Sequence, residues 1–73
     1  MKLSEVALDF EVRVERFDGR SDIAAVLRAV GISEGSKVKV VRRAPFGGPL
    51  FLRASSGAEV AIDPEIARIV EVM

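Results

Sequence analysis

Four cations, Lys37, Lys39, Arg42 and Arg43, fall within seven residues and are separated only by Val38, Val40 and Val41. A basic strand of this kind contacts phosphates in nucleic-acid-binding barrels. No aromatic residue interleaves these cations to stack a base, so a solvated strand face with charges flanking the valines explains the run better. Gly31, Gly35, Ser36 and Lys37 have the residue types of a phosphate loop but not its spacing or order, and that chemistry is rejected. Carboxylates are the main metal donors left to the chain. Glu11 and Glu15 share a strand face, yet four residues at ~3.3 Å each set them about 13 Å apart, too far for one ion. Asp18 and Asp22 flank a glycine turn but supply only a weak hard-cation pair. Ser4, Ser21, Ser33, Ser36, Ser55 and Ser56 all sit where caps or turns are expected, and the chain has no histidine to activate them. Chemistry on a covalent bond is not expected: this is no enzyme.

The loop Ala44-Pro45-Phe46-Gly47-Gly48-Pro49 is different in kind. Loop tips are ordinarily polar, and this one carries a phenylalanine. Phe46 either folds back to plug a thin core or stands out as an anchor for a partner. The two prolines cannot donate to a ladder, and the two glycines permit positive φ between them.

Around these residues stand 73 in all, 49% hydrophobic and 30% charged, with no cysteine. That length accommodates one domain, residues 1–73. Eleven Lys+Arg balance eleven Asp+Glu, so no bulk field draws the chain to nucleic acid or an anionic membrane. The absence of cysteine and histidine removes disulfides, thiolate nucleophiles and Cys/His zinc sites. No apolar run approaches a membrane span, and Glu5 and Asp9 interrupt what a signal peptide would keep uncharged; a cytoplasmic location is expected. A core this small has little spare free energy for strained catalytic geometry, which favours a binding module.

The elements follow from periodicity. Leu3 to Leu8 reads as a turn-like lead-in with Ser4 as its cap. From Asp9 to Phe17, Phe10, Val12 and Val14 alternate with Glu11, Arg13 and Glu15, a strand with one buried face. Asp18-Gly19-Arg20 is a turn. Ser21 to Val30 is a helix, capped by Ser21 or Asp22, with Ile23, Val26, Leu27 and Val30 on its core face. Gly31 ends it, and Ile32 folds back on Leu27. Lys37 to Ala44 is a second strand with Val38 and Val40 inward. Leu50 to Ala54 and Ala58 to Ile62 form a hairpin across Ser55-Ser56-Gly57. Asp63-Pro64 opens a helical turn through Ala67, and Arg68 to Val72 is the last strand. The expected fold is mainly β: a small, partly open antiparallel five-stranded barrel with one α-helix after the first strand and a short helical turn before the last.

The stretch from Gly31 to Leu50 closely resembles the centre of the FeoA family, small cytosolic proteins of bacterial ferrous iron uptake. The family pattern is a leucine-rich helix, Gly-(Leu/Ile)-x-x-Gly, a valine strand and Ala-Pro-Leu-Gly-Asp-Pro; the lead-in Leu3-Ser4-Glu5 and the tail from Val60 to Val70 also match it. The resemblance implies an SH3-like barrel, no reaction of its own, and a partner, the FeoB membrane transporter. Similar domains end DtxR-type repressors, where they bind peptide segments or help hold metal. Three positions depart from the pattern: Phe46 stands for leucine, Gly48 for aspartate, and Asp63-Pro64 for a basic stretch. Losing the carboxylate at position 48 weakens any case for a loop-bound metal. The reading that results is an adaptor docking through Arg42, Arg43, Pro45, Phe46, Gly47, Gly48 and Pro49 on the cytosolic part of an FeoB-type transporter. No cofactor is expected; a weakly held divalent metal and a weak homo-oligomer stay open. The rivals are a nucleic-acid-binding barrel and a stand-alone metal sensor like the DtxR-type C-terminal domain.

Overall fold

Five short antiparallel strands make one sheet in a computed structural model that describes residues 1–19 and 21–73. The expected turn through Arg20 and a cap from the Ser21 side chain lie outside what is described. After a 3-10 turn at Leu3–Glu5 come β1 (Glu11–Phe17), α1 (Ser21–Ala29), β2 (Lys37–Arg43), β3 (Leu50–Ala54), β4 (Glu59–Ile62), α2 (Pro64–Ala67) and β5 (Val70–Val72). The strands lie in the order β4-β3-β2-β1-β5. β4 and β5 form the two edges and do not pair, so the sheet curls without closing and the barrel is a loose one. The β5 edge is covered by the start of the chain, where the Val72 amide donates to the Met1 carbonyl at 2.8 Å.

Alternation places Val14, Val38, Val40, Leu50 and Leu52 inside, where they meet Leu3, Val6, Leu27 and Ile32. Phe10 was expected on that buried face and is instead 66% exposed. The strand starts at Glu11, two residues later than the expected Asp9. Asp9 turns the chain just before it at φ 65°, so Phe10 precedes the pleat that would aim it inward. Ser4 is no cap either; Glu5 reaches back to accept the Lys2 amide at 2.8 Å.

At the end of α1 the Ile32 amide donates to the Leu27 carbonyl at 2.8 Å, with Gly31 left-handed at φ 92° and Ile32 buried, the closure that the glycine predicts. The buried face of α1, however, is Ala24 and Leu27. Val26 is 61% exposed and Val30 42%. Apolar residues cover more of this helix than so small a sheet can bury, and the expected core stripe is split between core and surface. Arg28 fastens the helix on its other side, with its Nη2 2.6 Å from the Glu34 carboxylate and its guanidinium 5.7 Å from the Phe17 ring centre.

The lead-in is held by charge. Glu71 of β5 accepts from Lys2 Nζ and from the Met1 ammonium, both at 2.8 Å. Lys2 also pairs with Asp18, which Arg16 meets at 2.8 Å. The Lys2 hydrogen bond, then the Met1 ammonium, pull the Glu71 carboxyl down from 4.5 to about 2. A carboxyl depressed by folding stabilises the fold fully above its unfolded value and progressively less as pH falls toward its folded one. Urea midpoints are therefore expected to drop between pH 4.5 and pH 2. Glu71→Gln should lower the midpoint at pH 7 and flatten this acid limb, the two proteins converging near pH 2; parallel curves would show that Glu71 does not carry the effect.

Candidate functional site

The loop joining β2 to β3 is a tight turn closed by two backbone hydrogen bonds. The Ala44 amide donates to the Pro49 carbonyl at 2.9 Å, and the Gly48 amide to the Pro45 carbonyl at 3.2 Å. The two central residues, Phe46 and Gly47, have φ of 59° and 72°. Positive φ at both is the geometry whose twist suits flanking antiparallel strands, usually supplied by Asn-Gly. The two glycines permit positive φ by sequence; in the structure Gly47 takes it together with Phe46, a residue type that rarely does. Gly48 is needed for room: a Cβ there would lie 2.8 Å from the Ala44 Cβ and 3.2 Å from the Pro45 oxygen. Phe46 is 103% exposed, so of its two expected placements the structure shows the outward one.

A bulge in β2 immediately precedes the two arginines. Pairing runs Val40↔Leu52 and then Arg42↔Phe51, leaving Val41 as the extra residue. Without it Arg42 would share the inward parity of Val38 and Val40; with it, the guanidinium stacks 4.1 Å from the centre of the Phe51 ring. Arg43 turns the other way and donates to the Val6 carbonyl, tying the lead-in to the loop. Of the seven residues expected to dock, five form the loop itself, Arg42 stands beside it on the ring, and Arg43 works as a brace.

Further along β2, Lys37 lies across from Arg13, whereas Lys39 sits in a row of mixed charge. The row Glu11↔Lys39↔Arg53↔Glu59 crosses four strands, and Arg53 pairs with Glu59 at 3.0 Å. Carboxylates for a metal are equally engaged: both oxygens of Asp18 face Lys2 and Arg16, and both of Glu71 face Lys2 and the Met1 ammonium. Among the described residues no three His, Cys, Asp or Glu gather in a metal-holding group.

One feature of this surface was missed from sequence. Beside the loop, Ile23, Val26, Val30, Pro49, Val60 and Ile66 line an apolar groove of about 390 Å³, with Asp63 at its rim. Its signal in the sequence is the excess of apolar residues on a nine-residue helix, more than a core face alone requires.

The model of the FeoA domain matches residues 1–73. No curated protein matches the chain. Among solved structures, the FeoA protein of Chlorobium tepidum superimposes with a TM-score of 0.90 at 28% identity, covering 99% of this chain and 68% of that one. The FeoA protein of Stenotrophomonas maltophilia complexed with zinc, described as a procaryotic SH3 domain protein, does so at 0.74 and 28%, covering 100% and 89%. A manganese-dependent transcriptional repressor aligns at 0.89 with 24% identity over 100% of this chain and 35% of its own, a likeness of fold alone. Among the described residues no helix is long and apolar enough to cross a membrane.

Proposed function

Because this chain belongs to the FeoA domain family, we propose that it is a non-enzymatic accessory protein of ferrous iron uptake that works in the cytoplasm by docking, Phe46 first, on the cytosolic part of an FeoB-type transporter. The observation that carries this reading is the state of Phe46: an aromatic side chain fully in water on a backbone at φ 59°. A left-handed non-glycine residue costs on the order of 1–2 kcal/mol, and the exposed ring recovers none of it inside the chain. Buried in a partner's pocket, a phenylalanine returns roughly 2–3 kcal/mol. The bonded turn holds the ring ready, so little ordering cost is left for the binding step. Iron in this reading is the transporter's cargo and not a ligand of the chain, whose best-placed carboxylates are already held by cations.

The test is a calorimetric titration of the transporter's cytosolic part with wild-type chain and with Phe46→Asp. Loss of an anchor of this size should weaken binding by about 30-fold or more. The melting temperature should hold, because the side chain touches no core. Equal affinities would show that the partner is met by another surface.

A further inference from the structure

The groove between α1, β4 and α2 has no role in the docking of Phe46; it is an apolar concavity of about 390 Å³ on a chain whose most exposed aromatic side chain is Phe46 at 103%, with Phe10 at 66% on the lead-in to β1. We infer that the groove receives Phe46 of a second copy, in a reciprocal, weak dimer that withdraws the anchor from its partner. Three observations favour a second copy over other occupants. The groove's walls are aliphatic, and its volume of about 390 Å³ has room for one phenyl ring with its neighbours. Pro49 belongs both to the anchor's loop and to the groove wall, so the two surfaces are continuous. A two-fold axis beside Pro49 then seats both rings at once, each copy offering the same patch.

Charge agrees with this. Arg42 stands at the base of the loop, stacked on Phe51, and forms no ion pair among the described residues. Asp63 at the groove rim and Glu65 beside it are unpaired in the same sense. A copy bringing its loop to the groove therefore brings Arg42 toward carboxylates that form no ion pair among the described residues, and with a formal net charge of zero no overall repulsion opposes it. The patch is smaller than the ~1,000 Å² that a stable interface needs, so association is expected only on the order of 0.1–1 mM.

The contact itself stands on the geometry; its regulatory consequence rests on the docking role proposed for Phe46. Sedimentation equilibrium on wild type, Phe46→Asp, Val26→Lys and a 1:1 mixture of the two variants separates them. Both substitutions lie on exposed side chains, and circular dichroism checks that each folds. Wild type should associate and each variant should stay monomeric. The mixture should recover part of the association, since one variant keeps the groove and the other keeps the ring. Monomeric wild type at about 1 mM, a Val26→Lys protein that associates like wild type, or a mixture that recovers nothing would each overturn the dimer. Titrated at concentrations where wild type is dimeric, Val26→Lys should bind the transporter's cytosolic part at least about twofold more tightly. Its loss of that binding would instead assign the groove to the transporter and overturn the regulatory role. Should Phe46→Asp lose self-association yet still bind the transporter, the docking role fails while the dimer stands.

Discussion

Leu52→Ala is expected to lower the unfolding free energy by about 3 kcal/mol, the typical cost of emptying a leucine site that cannot collapse. Leu52 is 1% exposed on β3, an interior strand whose neighbours across the ladder, Val40 and Val60, are fixed by pairing on both sides. Strands held on two edges cannot move in to fill a hole, so the cavity persists. A chain of this length has only roughly 4–11 kcal/mol in total. The melting temperature should therefore fall by roughly 10–20 °C, with the urea midpoint dropping in proportion. A shift of only a degree or two would mean that the open seam between β4 and β5 lets the core relax around the missing methyls.

Gly48→Asp restores the residue common in the FeoA pattern, and in this chain it is expected to do harm. The new Cβ meets the Ala44 Cβ at 2.8 Å and the Pro45 oxygen at 3.2 Å, so the turn has to open. Overpacking of this order costs about 1–3 kcal/mol. The functional loss should be larger than the stability loss, because the hydrogen bond from Gly48 to Pro45 is what closes the turn carrying Phe46. Affinity for the transporter's cytosolic part should drop about tenfold or more as the ring loses its fixed direction. Ala44→Gly in the same chain removes the nearer of the two contacts and should return part of both losses. A double-mutant cycle reads that coupling directly. Additive effects would place the damage somewhere other than the Ala44 contact.

Much of the architecture was legible along the chain because it is set by local rules. Val12, Val14, Val38 and Val40 announce strands by period two, Gly31 with Ile32 announces the helix end, and Asp63-Pro64 announces α2. The Pro/Gly loop with an aromatic tip marked the candidate site before any coordinates. Less legible was how Arg42 and Arg43 would be used. Their adjacency reads as one basic flank, but the bulge at Val41 depends on how β2 meets β3, and it sends one to the Phe51 ring and the other to the Val6 carbonyl. Phe10 went astray for a similar reason, since a left-handed Asp9, whose amide bonds Val40 across the molecule, decides where the strand begins.

What the order of residues determined by itself was the set of elements, the chemistry denied to a chain without histidine or cysteine, and a Pro/Gly loop with an aromatic at its tip. Only the folded sheet decided which apolar side chains were surplus. Five short strands cover one side of a nine-residue helix and no more, so Val26 and Val30 remain in water beside Pro49. Periodicity reports that a face is apolar; how much of it gets buried is set by the area of the surface packed against it.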